Sequence, residues 1–185
     1  FLWLYTEGNY LDAGRVFEQH LQLLLMNAVG WWILALLLVV SYPQSAKFWS
    51  KNPLLQLLFA FSTLIPFIAG VLRLRLEHYT HDPYHGLFLL LYVFVLVWAA
   101  DSGAYFSGRA FGKRKLAPKV SPGKSWEGVV GGLITALVLA FVFIHFSGDA
   151  LVGERNITGF VILSVATVAI SVLGDLTESM FKRES

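Results

Sequence analysis

The 185-residue chain has no cysteine, two methionines and six prolines, and only 14% of its residues are charged. Without cysteine there are no disulfides and no thiolate metal sites. A soluble domain carries about a quarter charged residues, so this chain lacks the charge to cover a water-facing surface. Its net charge of +2 is too small to argue for a nucleic-acid partner. It has no repeat, low-complexity tract or flexible linker, and its start lacks the basic and short apolar regions of a secretory signal. What it has is apolar surface: 56% hydrophobic residues, fifteen Phe, seven Tyr and six Trp, with a mean hydropathy of +0.63. Disorder is excluded by that content. The remaining class is an all-α, polytopic integral membrane protein. The chain opens on Phe1 and closes on Lys182-Arg183-Glu184-Ser185 directly after an apolar segment, so it is expected to be a piece of a longer protein.

Crossing about 30 Å of hydrocarbon takes roughly 20 helical residues. Five stretches qualify: Leu21 to Ala46, Leu54 to Leu72 with Pro66 as a kink, Tyr84 to Ala100, Gly128 to Gly148, and Asn156 to Gly174. Backbone groups in lipid must be satisfied internally, which makes these spans helices. Residues 1–20 read as an interfacial segment or the tail of an earlier element. The division expected is 1–83 as N-terminal membrane helices with their loops, and 84–185 as a catalytic membrane region carrying a loop over 101–127. Alternating spans put Lys47, Lys51, Arg109, Lys113, Arg114, Lys115, Lys119, Lys124, Lys182 and Arg183 on one side, ten of the fourteen basic residues. Arg15, Arg73, Arg75 and Arg155 fall on the other. The positive-inside rule assigns the richer side to the cytoplasm.

Polar groups in or beside a span are costly, so they mark where function concentrates. Asp101 interrupts an apolar helix near its cytoplasmic end, and Asp175 ends the fifth span on the same side. Taken singly, each also reads as an ordinary helix-end charge. If the fifth helix continues past the membrane edge, Asp175, Glu178, Ser179 and Lys182 share one face. Such a stripe suits a hard divalent cation and the phosphate it neutralises, or a solvated, salt-bridged helix end. A third segment runs from Lys119 to Gly128. Ser121 followed by Pro122 reads as an N-cap with proline in the first helical position. A helix start flanked by Ser121, Ser125, Lys119 and Lys124 suits phosphate, or a capped helix whose lysines face anionic headgroups. Gly-Lys-Ser is not a P-loop, because that motif needs glycine where Pro118 stands and a strand before it. Gly128 and Gly132 form a small-xxx-small pair for close helix packing. His145 reads as interfacial. His78, His81, His85 and Asp82 sit on the outer side, away from the carboxylates.

Three segments occur in a fixed order: Ala100-Asp101-Ser102-Gly103-Ala104-Tyr105, Lys119-Val120-Ser121-Pro122-Gly123-Lys124-Ser125-Trp126-Glu127-Gly128, and Leu173-Gly174-Asp175-Leu176-Thr177-Glu178-Ser179-Met180-Phe181-Lys182-Arg183. Together they resemble the phosphatidate cytidylyltransferase (CDP-diacylglycerol synthase) family in its bacterial form, from about residue 98 to the end. Before that only the hydropathy of a multi-span protein agrees. Ser179 to Arg183 matches the opening of the family's C-terminal signature, whose remainder would lie beyond Ser185. The resemblance implies that CTP and phosphatidate give CDP-diacylglycerol and pyrophosphate with Mg²⁺ as cofactor. It also implies a bacterial inner membrane location, a cytoplasmic active face and a homodimer. Carried onto this chain, it makes Asp175 a metal ligand, with Glu178 beside it. Lys124, Lys182 and Arg183 would neutralise phosphates, Ser121, Ser125 and Ser179 would donate hydrogen bonds, and Asp101 and Lys119 would assist in substrate binding. With the rest of the signature absent, residues 1–185 alone are expected to be inactive. The competing classes are an ion-coupled transporter, which would place polar groups near the bilayer midplane, and a non-catalytic membrane subunit.

Overall fold

A computed structural model describes residues 7–79, 81–147 and 157–184, with side chains from residue 19 onward apart from residue 147. The chain order is α1 (Glu7–Val40), α2 (Ala46–Trp49), α3 (Pro53–Arg75), α4 (His85–Phe111), β1 (Lys115–Ala117), β2 (Ser121–Ser125), α5 (Trp126–Ser147) and α6 (Ile157–Glu184). Five helices among the described residues are long and apolar enough to cross a membrane: Gln19–Val40, Pro53–Arg75, His85–Phe111, Trp126–Phe146 and Ile157–Glu184. The protein is therefore a helical, multi-pass membrane protein, and its outward faces are lined by Leu, Ile, Val and Phe side chains.

Several boundaries differ from the sequence expectations. The first helix stops at Val40 rather than Ala46, and it starts at Glu7, so residues 7–18 are helical and continuous with the apolar span Gln19–Val40. Phe1 to Thr6, Gly148, Arg155 and Asn156 lie outside the described residues. Pro66 sits inside α3, which continues through it. Asn52 starts that helix: its side-chain oxygen accepts from the Leu54 and Leu55 amides at 3.0 and 3.3 Å, and Pro53 follows at the first position. The largest correction concerns the loop over 101–127. Helix α4 runs eleven residues beyond Ala100, and the remainder forms a two-stranded antiparallel hairpin.

Helices α4 and α5 make the most extensive pairing, and small residues explain it. A Cβ added at Gly128 would lie 2.9 Å from the Ala104 carbonyl oxygen, and one at Gly132 would lie 2.9 Å from that of Ala100. With no hydrophobic drive between helices in lipid, such backbone approach is what holds a pair together. Leu96, Ala100, Ala136 and Val168 are buried along this seam. Tyr92 joins α4 to α6 through a 2.7 Å hydrogen bond with Ser164, and its ring packs against both Phe143 and Phe160, which stack on each other.

A second core gathers Trp31, Trp49, Phe59, Val120, Leu176 and Met180. It brings the α1–α3 connection, the hairpin and the end of α6 to one end of the bundle. The Tyr42 hydroxyl donates to Glu184 at 2.9 Å, and the Trp49 and Phe181 rings meet edge-on at 4.9 Å. That carboxylate acceptor holds the Tyr42 phenol above its ordinary pKa. The segments carrying ten of the fourteen basic residues therefore lie together, as the charge count requires.

Gly132→Val should cost about 1–3 kcal/mol by overpacking the α4–α5 seam. Gly70→Ala, where an added Cβ meets nothing within 4 Å, should leave stability unchanged or raise it by up to about 1 kcal/mol through helix propensity. Thermal unfolding in detergent, followed by circular dichroism, checks both.

Candidate functional site

The hairpin is the element that builds the site. Its first strand exposes Lys115 and half-buries Leu116 and Ala117 against the aromatic core, and its second contains Pro122, which a two-stranded edge tolerates because proline removes only one ladder donor. Two cross-links close its base. The Trp126 amide donates to the Arg114 carbonyl at 2.9 Å, and the Arg114 amide donates to both Glu127 carboxylate oxygens at 3.2 Å. The expected N-cap at Ser121 is corrected here, because Ser121 and Pro122 lie in β2 and α5 starts four residues later. The cap is Ser125, whose buried Oγ accepts from the Gly128 amide at 3.2 Å.

A cleft of about 490 Å³ opens between α4, β2, α5 and the last turns of α6. Asp101, Tyr105 and Arg109 line it from α4, Lys124 and Ser125 from the hairpin, and Asp175 from α6. Lys124 donates its ammonium to Asp175 Oδ2, with the lysine side chain 25% and the aspartate 51% exposed. On the α4 wall, the Arg109 guanidinium donates to the Tyr105 hydroxyl at 3.1 Å. Gly108, Gly123 and Gly128 also line the cleft. Two carboxylates, an ammonium and a guanidinium thus meet at the polar end of three spanning helices.

Other expected site residues fall elsewhere. Helix α6 does continue beyond Gly174, to Glu184, which places Glu178 and Lys182 in an ion pair of 2.6 Å. These two line a separate, mainly apolar cavity of about 700 Å³ with Trp32, Phe59 and Phe181. Ser179 is half-buried on α6, Ser121 is half-buried in β2, and Lys119 is exposed in the hairpin turn; none of the three lines the cleft. Arg183 donates its Nε to the Val120 carbonyl at 2.5 Å. Tyr105 and Arg109 were not singled out from the sequence. The signal was present, since positions 101, 105, 108 and 109 share one face of a helix extended beyond Ala100.

Among the described residues, no group of three or more His, Asp or Glu side chains is placed to hold a metal ion. That holds for the outer-side histidines and for Asp175 with Glu178. The cleft offers two carboxylates, Asp101 and Asp175. This fits Mg²⁺, which binds through one or two carboxylates and completes its shell with water and substrate phosphates.

The model of the Cytidylyltransferase family matches residues 1–185. The chain belongs to this family. Over 185 residues it is 92% identical to a phosphatidate cytidylyltransferase of Haemophilus influenzae, covering 100% of this chain and 64% of that protein. Over 178 residues it is 43% identical to a phosphatidate cytidylyltransferase of Pseudomonas aeruginosa, covering 87% of this chain and 56% of the other. A 102-residue match to one of Bacillus subtilis is 45% identical and covers 54% of this chain. The chain thus spans less than two thirds of the length of these relatives. No solved structure matches it. As a cytidylyltransferase chain, it carries its charged cleft where the three motif segments meet: Asp101 from the first, Lys124 and Ser125 from the second, Asp175 from the third.

Ser125→Ala removes the α5 cap and should lower stability by about 1 kcal/mol. Denaturant titration against the parent protein reads that loss directly.

Proposed function

We propose that the whole protein is a phosphatidate cytidylyltransferase, a nucleotidyltransferase of phospholipid biosynthesis that makes CDP-diacylglycerol and pyrophosphate from CTP and phosphatidate. One observation carries this reading: Asp101, Lys124 and Asp175, distant in sequence, converge on one cleft at the basic end of a membrane bundle. The names of the Haemophilus and Pseudomonas relatives support it. An ion-coupled transporter would place such groups at mid-membrane, and here they gather at one end.

The chemistry is an in-line displacement. A phosphatidate oxygen forms a bond to the α-phosphorus of CTP while the bond to the pyrophosphate oxygen breaks. Such transfers depend on position and charge neutralisation more than on covalent help from the protein. Lys124 is placed to meet phosphate charge, and Arg109, four residues from Tyr105 on the cleft wall, supplies a second cation. Ser125 stays with the α5 cap, and the half-buried Ser179 stands away from the cleft. Asp101 and Asp175 would hold Mg²⁺, which when bound would stabilise the attacking and leaving oxygens.

The setting follows from charge. The end bearing the cleft holds ten of the fourteen basic residues, which under the positive-inside rule makes it cytoplasmic. CTP is found there. A bacterial inner membrane and a homodimer in the bilayer complete the proposal.

In the full-length protein, Asp175→Asn should lower Mg²⁺-dependent transfer of labelled CMP into lipid by roughly 100-fold or more. Glu178→Gln, outside the cleft, should retain most of the activity. Chelation by EDTA should abolish turnover and added Mg²⁺ restore it. Normal turnover in a folded Asp175→Asn protein would remove the assignment.

A further inference from the structure

The cleft depends on where Lys124 stands, and Lys124 is carried by a five-residue strand with only three residues paired to it. Two attachments hold that strand to α6. At one end the Val120 side chain is 2% exposed, packed with Leu176 and Met180, and its carbonyl accepts from Arg183 Nε at 2.5 Å. At the other end Lys124 meets Asp175. The spacings match. Arg183 and Asp175 are eight residues apart, about 12 Å along a helix. Val120 and Lys124 are four apart, about 13 Å along an extended strand. Segment 120–124 therefore lies alongside α6, antiparallel to it, and pinning Val120 at Arg183 delivers Lys124 to Asp175.

We infer that Arg183 is a positioning residue, acting on the reaction by fixing the hairpin that carries Lys124, and not by contacting the substrate phosphates. The guanidinium is spent on a backbone carbonyl two helical turns from the cleft, and it does not line the cleft. Charge alone does not substitute for this contact, because the fixed fork of arginine holds its Nε–H against the carbonyl in a way that a flexible ammonium does not. This role rests on the proposed transfer reaction, but the clamp itself is measurable without it.

Two measurements on the full-length protein test the inference together. A spin label at Gly123→Cys, in a background without other cysteines, reports hairpin mobility; an added Cβ there meets nothing within 4 Å. Arg183→Ala should make the label markedly more mobile, and Lys124→Gln should leave it nearly unchanged because Val120 stays pinned. Should the alanine protein not accumulate, Arg183→Lys serves, and it too should loosen the label. In CMP-transfer assays on unlabelled protein, Arg183→Ala should lower kcat. Added to Lys124→Gln it should cause less than about a two-fold further loss, since a residue acting through Lys124 has nothing left to position. A label that stays immobile in the Arg183 variants overturns the inference, and so do losses that multiply across the two positions. If the protein transfers no CMP at all, the proposed function falls while the label still decides the clamp.

Discussion

The Lys124–Asp175 ion pair is the contact on which the site depends, and its value is positional. With half of the aspartate side chain exposed, such a pair contributes about 0–1 kcal/mol to stability. The same contact joins two segments fifty-one residues apart and fixes a cation against a carboxylate in the cleft. Phosphoryl chemistry needs charges held before the substrate arrives, since groups already in place cost no reorganisation during the reaction. The surrounding structure can be read as the means of making that placement reproducible.

Two kinds of packing do so. The glycine seam between α4 and α5 brings the Asp101 helix against the helix capped by Ser125, so the α4 wall and the hairpin are set by backbone contact rather than by adaptable side chains. The aromatic core around Trp49 and Phe59 then ties the α1–α3 connection and Val120 to α6. The seam is buried along its length, and its small residues are what permit the two helices to associate closely. The core lies at the basic end, where the Trp31, Trp49, Phe59 and Phe181 rings pack on one another.

Much of this was legible before any coordinates. Low charge and long apolar runs fixed the class, and the five spans follow from hydropathy because lipid leaves the backbone no other solution. The clustering of basic residues at one end followed from counting alternations. The hairpin did not. Ser121-Pro122 has the residue types of a helix start, and pairing with β1, contact with α6 and the Arg114 cross-links hold it extended. The extension of α4 was missed for a related reason, since hydropathy marks where lipid ends and not where the helix does. Asp101, Lys124 and Asp175 were named from sequence, whereas Tyr105 and Arg109 become visible as a helical face once that extension is known. Glu178 shows the limit of spacing: it shares a helix face with Asp175 and yet its carboxylate is taken by Lys182 at another cavity.

The central claim is that nucleotide and metal meet in the cleft of Asp101, Lys124 and Asp175 rather than in the larger apolar cavity beside it. The most direct test places spin labels on the full-length protein, one at Val129→Cys in the cleft and one at Thr63→Cys in the cavity, and adds Mn²⁺ with CTP. Strong paramagnetic relaxation of the label at 129, weak relaxation at 63, and loss of both with Asp175→Asn is the expected result. Stronger relaxation at 63 than at 129 would contradict the account.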